Sequence, residues 1–282
     1  YLYCSDRMLR NTDIRIGLAH AVIMGRVSDS LFRGNMRRLG SYMEGYCDLT
    51  LPLKAPEYSK KKAMEYFARA GFREMGEDGI LKNERGERLC LELTFADSSH
   101  MMTNVCSIIR QEALRCGVDL KLDPLTYSVC SRKVFEKRYQ AALWAWPLDT
   151  PFPRLYETFA SELAYDGRGN SVGNTNNIFA VADAELDAAL DAEREAPDYP
   201  ALKEALHRAQ KRIHDLCVWI PGWREPYTHI ACWRWIRWPE SPTRFCSPRL
   251  YNPLTYHKKR MNEKVKSRLK DRDDPLRASS GE

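Results

Sequence analysis

Apolar positions recur along most of the chain at helical or at strand spacing, and the two periods alternate in the way a layered α/β fold requires. Asn11, Thr12 and Asp13 precede Ile14, Leu18, Ala21 and Val22, a cap followed by one apolar face, so a helix starts there with Arg15 on its polar side. Residues 24–32 predict a second helix closed by Gly34. Ser59 caps a third, in which Ala63, Tyr66, Phe67 and Ala70 share a face and Gly71 supplies the stop. Asp78-Gly79 and Arg85-Gly86 are turn signals around a hairpin at 80–83, and Leu89, Leu91, Leu93 and Phe95 alternate as a strand with one buried face does.

Residues 101–116 then carry Val105, Ile108, Ile109 and Leu114 on a helix closed by Gly117, and 118–122 read as a strand. A helix over 127–137 leads to a central strand at 139–146, short and aromatic enough to be buried on both faces. The order strand, helix, strand, helix, strand predicts parallel pairing. Residues 165–179 are rich in Gly and Asn and read as loop, and two amphipathic helices follow at 183–194 and 199–216 with solvated charged faces. Residues 218–221 predict a brief buried strand. Beyond it Trp233, Trp235 and Trp238 interleave with Arg234 and Arg237 in a strand and crossing segment, and Met261, Val265 and Leu269 form a thin stripe on a basic C-terminal helix.

The candidate chemistry lies where the central strand ends. Pro147 cannot donate to a ladder, so pairing stops there and Trp146 and Asp149 arrive at the C-terminal edge of the sheet, the edge at which open α/β sheets bind ligands. An indole face beside a carboxylate three residues on suits a ligand with an apolar body and a cationic end. The same residues have a plainer reading, in which Trp144 and Trp146 fill the core and Asp149 caps a helix beginning near Pro151 or Pro153.

Composition narrows the classes. A chain of 282 residues, 44% of them hydrophobic, can bury a sizeable core. The net charge of +6 arises from 44 basic and 38 acidic residues spread along the chain, without the basic face or arm expected of a nucleic-acid binder. No apolar run reaches membrane-spanning length, and the first residues lack the pattern of a signal peptide. The start at Tyr1 rather than Met points to a piece of a longer precursor. The nine Cys include no C-x-x-C pair, so they read as core residues rather than a zinc or redox motif. His207 and His214 share a helix face but lack a third ligand, and no nucleophile, base or metal constellation stands out, so no enzyme, cofactor or metal site is expected.

Several segments, taken in order, resemble the C-terminal half of the family 5 extracellular solute-binding proteins, the oligopeptide and dipeptide receptors of ABC importers, and most nearly the branch associated with microcin-type and long peptides. NTDIRIGLAHAVIMGRVSDSLFRG is similar to the family's D-x-R-V-R-x-A-L-x-x-A-I-D helix pair, with Asp13, Arg15, Leu18 and Ala21 in register and departures at Gly17 and Met24. GSYMEGY, the AMEYFARAGFREMGEDGILKNERGERLCLELTF block, the run from NVCSIIRQEALRCGVDL to QAALWAW, AELDAALDAE and IPGWREPYT follow in family order. The resemblance implies one lobe of a periplasmic-binding-protein type II fold, with residues 1–232 as the second lobe, residues 233–282 as the return segment with the basic helix, and the N-terminal lobe missing. It implies a peptide ligand, permease subunits and the absent lobe as partners, no nucleic acid, and a periplasmic or lipid-anchored location.

Ala145, Trp146 and Asp149 stand at the positions of the family's G-W-x-x-D motif, with Ala in place of Gly. The resemblance therefore makes Asp149 the partner of a peptide ammonium group and Trp146 an apolar wall, with Trp144 and Tyr156 of the same stretch completing the ligand-binding set. The rival expectation is the ligand-sensing lobe of a cytoplasmic transcriptional regulator of the same fold, which the nine thiols favour.

Overall fold

The computed structural model describes residues 1–22, 24–45, 47–145 and 155–224, together with the strand pair formed by 236–237 and 257–258. The chain divides into two compact units, residues 1–148 with 152–227 and residues 149–151 with 228–282. In the second, β8 (Ile236–Arg237) and β9 (His257–Lys258) pair antiparallel; the expected C-terminal helix and the Trp and Arg stacking lie outside the described residues.

The first unit begins with α1 (Thr12–Ala21), α2 (Met24–Leu31), the two-residue β1 (Arg37–Arg38) and α3 (Lys60–Arg69). Asn11 and Ser59 cap their helices as expected, accepting from the backbone N–H of Asp13 and of Lys62. The hairpin of β2 (Phe72–Met75) and β3 (Leu81–Asn83) leads to β4 (Cys90–Ala96), α4 (His100–Arg115), β5 (Asp119–Leu125), α5 (Tyr127–Phe135) and β6 (Ala141–Leu143). Then come α6 (Leu155–Phe159), α7 (Ala184–Arg194), α8 (Tyr199–Leu216) and β7 (Trp223–Arg224), which pairs antiparallel with β1.

β4, β5 and β6 form a parallel sheet in the order β5-β4-β6, with β4 aligned to β5 over its whole length. The parallel pairing matches the alternating order read from the sequence. The central strand is β4, however, and not the segment 139–146: β6 is only three residues long and lies at one side of the three, because the N-terminal chain takes up its other edge. Tyr3 N–H donates to Gln140 O at 2.9 Å and Ala142 N–H to Tyr1 O at 2.9 Å, with Leu2 and Ala141 in an antiparallel bridge. A segment far away in sequence thus finishes the ladder that the local pattern centres on 139–146.

One core gathers Phe67, Leu81, Leu89, Leu91, Phe95, Val105 and Val118 between the sheet and α1, α3 and α4. Each such side chain, fully buried, stabilises by about 1.5–3 kcal/mol. Gly17 lets α1 lie directly on α3, since a Cβ there would come within 2.4 Å of the Phe67 ring. Elsewhere Tyr42 sets its ring edge-on to Phe159 and Trp219, and Phe159 stacks on Phe179 at 5.1 Å.

Four further expectations need correction. Arg15 is not on a polar face but buried, its guanidinium satisfied by carbonyls from outside its helix. Leu114 is exposed on α4, where Cys106, Glu112 and Ala113 take the inward positions. Residues 218–221 are not a strand: Val218 and Trp219 are buried, but the ladder falls later, at β7. The charged sides of α7 and α8 are also not wholly solvated, because Arg212 on α8 forks onto Asp183, the N-cap of α7, at 2.9 and 2.7 Å.

Candidate ligand-binding edge

Parallel pairing places the C-terminal ends of β4, β5 and β6 at one edge of the sheet, together with the starts of α4 and α5. Asp97, just past β4, donates its N–H to Leu125 O at 2.8 Å and accepts from the Thr103 hydroxyl at 2.8 Å, which ties the end of β4 to β5 and to α4. Ser99 caps α4 through the Met102 N–H. The backbone there is therefore held, and side chains that leave it start from fixed positions.

Trp144 follows β6 immediately. Its ring stacks on Tyr127, the first residue of α5, with centroids 5.7 Å apart and planes 15° from parallel, and it meets Phe135 edge-on at 6.4 Å. Tyr127 is 65% exposed, so the pair presents an aromatic face to solvent rather than closing a core. The indole Nε1 is closed to solvent and has no hydrogen-bond partner among the described residues. Trp144 thus stands, half-buried, at the C-terminal edge of the sheet, while Trp146 and Asp149, the residues expected at that edge, lie outside the described residues.

Tyr156 is placed on α6 and is held by its own neighbours. Its hydroxyl donates to Glu162 at 2.6 Å, a bond that holds the phenol above its ordinary pKa, and the Arg194 guanidinium lies 4.2 Å over its ring. Trp144 and Tyr156 share none of these partners. Beside Tyr156, the Glu193 carboxylate accepts from the Leu155 N–H at 3.2 Å, while its second oxygen is buried without a partner among the described residues; burial pushes this carboxyl up to about 7.

Tyr127 and Glu193 were not singled out from sequence. Tyr127 carried one usable signal, since the first residue of a helix that follows a parallel strand must lie at the ligand edge. Glu193 carried none, because its carboxylate meets α6 only through tertiary packing. His207 and His214 face the backbone carbonyls of Asp48 and Lys54, and among the described residues no group of three His, Cys, Asp or Glu could hold a metal. A shallow pocket of about 310 Å³ between Tyr3, Asp6, Glu92 and Lys137 lies beside Gln140, which precedes β6 and so belongs to the opposite end of the sheet. Its polar groups are taken up by protein partners: Gln140 donates to Asp6 at 3.0 Å and accepts from the Glu92 N–H at 2.8 Å, and Lys137 donates to Leu163 O.

No family model matches the chain. By sequence it is similar to the oligopeptide-binding protein AppA of Bacillus subtilis (strain 168), 24% identical over 107 residues, which is 37% of this chain and 19% of that protein. Among solved structures, AppA from Bacillus subtilis in complex with a nonapeptide matches 92% of this chain and 50% of its own, with a TM-score of 0.73 and 15% identity. The oligopeptide-binding protein of Thermus thermophilus complexed with a pentapeptide matches 79% of this chain and 40% of its own (TM-score 0.68, 17% identity). DppA from Helicobacter pylori, in complex with the peptide STSA, matches the same shares (TM-score 0.65, 17% identity). The chain spans about half the length of these structures or less, and over that span its fold is the mixed α/β fold of the periplasmic type II binding proteins.

Proposed function

We propose that this chain is the second lobe and return segment of a peptide-binding component of an ABC importer, the C-terminal half of a family 5 receptor, nearest in its segments to the microcin and long-peptide branch. Residues 1–232 form the lobe and 233–282 the return segment. The observation that carries the reading is the exposed Tyr127–Trp144 stack at the C-terminal edge of a parallel sheet whose fold matches proteins solved with bound peptides. Such a face gives an extended chain apolar area without demanding a sequence. Asp149 pairs with the peptide ammonium group and Trp146 walls it, with Tyr156 at the far side of the same segment.

The role is binding and delivery, not catalysis. The partners are a peptide, the permease subunits and a first lobe that closes the cleft, and the place of work is outside the cytoplasmic membrane, free or lipid-anchored. A charge-assisted pair to Asp149 is strong only when closure excludes water, so this chain by itself binds peptide weakly.

A second reading, the sensing lobe of a cytoplasmic regulator, draws on the thiols: Cys4, Cys90, Cys106, Cys116, Cys130 and Cys217 are all free, and the last four are buried. Cell fractionation separates the two. Native protein recovered from the exported fraction with peptides that mass spectrometry can release supports the receptor. Recovery from the cytoplasm, bound to DNA and free of peptide, overturns it.

A further inference from the structure

We propose that the indole N–H of Trp144 is a ligand contact that donates to a backbone carbonyl oxygen of an extended peptide lying along the Tyr127–Trp144 face. The inference rests on the peptide-binding reading and adds to it the group that is recognised. Trp144 Nε1 is buried from solvent with no acceptor among the described residues, although the indole N–H is a donor only and a buried donor almost always finds a partner. The ring cannot easily turn to find one inside the protein, because Tyr127 covers one face and Phe135 meets it edge-on. Among the described residues this donor is unmet, and a buried donor left unmet at the edge where ligands arrive carries a cost that an incoming acceptor removes.

The chemistry of the site selects the acceptor. The indole is neutral and its ring neighbours are aromatic, so an ionised oxygen would lose its hydration there without gaining a cation. An amide carbonyl is a strong neutral acceptor that loses less. An extended peptide presents such carbonyls at regular intervals along one side, so one of them can meet Trp144 while adjoining side chains lie against Tyr127, which is the exposed member of the stack and has room to shift aside.

The test uses the 282-residue chain labelled with 15N at its indoles. The Trp144→Phe variant, which keeps an aromatic ring but removes the N–H, identifies the Trp144 indole resonance by its absence and is accepted only if its other resonances stay in place. Pentaalanine at millimolar concentration should move that resonance downfield, and Trp144→Phe should bind the peptide about 5- to 10-fold more weakly, the effect of one neutral hydrogen bond. An analogue with the critical amide reduced to CH2–NH should bind wild type and variant alike. The proposal is overturned if pentaalanine shifts other resonances while the Trp144 indole proton stays still, or if the variant binds as wild type does. If millimolar pentaalanine moves no resonance at all, the peptide-binding reading itself has failed, and this inference with it.

Discussion

The guanidinium of Arg15 on α1 forks onto the carbonyl of Leu216 at the last turn of α8, with Nε at 2.9 Å and Nη2 at 2.7 Å. It also donates to Leu9 O at 2.6 Å, to Arg10 O and to the Thr12 hydroxyl. One buried cation therefore ties the N-terminal helix to the end of a helix far along the chain through neutral oxygens. It caps the Leu216 carbonyl, which α8 leaves without an intrahelical donor, at the end of the helix dipole where positive charge is favoured.

Arg15→Met should destabilise the chain by roughly 2–4 kcal/mol, because it leaves several buried carbonyls unmet. Arg15→Lys should recover little of this, since a single ammonium cannot reproduce the planar fork. Urea denaturation monitored by circular dichroism would check both; a midpoint for the Lys variant equal to wild type would show that charge rather than geometry matters.

Gly17→Ala should lower stability by about 1–3 kcal/mol although alanine favours helix, because the new methyl meets the Phe67 ring, and the fully buried Phe67 has no room to yield. A thermal melt decides the sign, and a raised midpoint would mean that α1 and α3 separate more readily than their packing implies.

Lys137 is buried in a left-handed backbone conformation (φ 57°), its ammonium donating to Leu163 O at 3.0 Å, and burial lowers its pKa to about 8. The folded value lies below the unfolded one, so folding penalises the charged form. That penalty is complete below pH 8 and fades as pH rises toward about 10.4, the ordinary lysine value. The stability of wild type relative to Lys137→Met should therefore rise between about pH 8 and 10, by on the order of 2–3 kcal/mol. A flat difference across that range would place the ammonium in water.

Glu193 gives the opposite slope at lower pH. Its carboxyl is held up at about 7 by burial, above the unfolded value, so the protonated form is favoured on folding and stability falls as pH rises from about 4.5 to 7. Glu193→Gln keeps an oxygen for the Leu155 N–H and removes the charge. It should gain on the order of 2–3 kcal/mol over wild type at about pH 7.5 and nothing at about pH 4, as chemical denaturation at the two values would show.

Burial raises the thiols of Cys106 and Cys217 to about 12. Iodoacetamide at about pH 8 should leave both unmodified in the folded chain and alkylate them in urea, since the thiolate is the reactive species. Peptide mapping that finds either modified in the native state would show local opening at α4 or at the end of α8.

Periodicity alone located almost every described helix of the first unit, because caps such as Asn11, Ser59 and Asp183 and stops such as Gly71 act within a few residues of themselves. It also determined the parallel order, since strands joined through helices can pair in few other ways, whereas Trp146 and Asp149, which it carries to the ligand edge, lie outside the described residues. Tertiary structure decided what depends on distant segments: that Arg15 faces inward to Leu216, that the N-terminal chain completes the sheet beside β6, and that Leu114 faces out while Glu112 is buried. It also decided that Tyr127 lies flat on Trp144 with the indole N–H unmet among the described residues. Local sequence fixes backbone conformation through short-range sterics and hydrogen bonds, whereas the direction a face turns and the partner a polar group finds depend on which surfaces remain once the layers have packed.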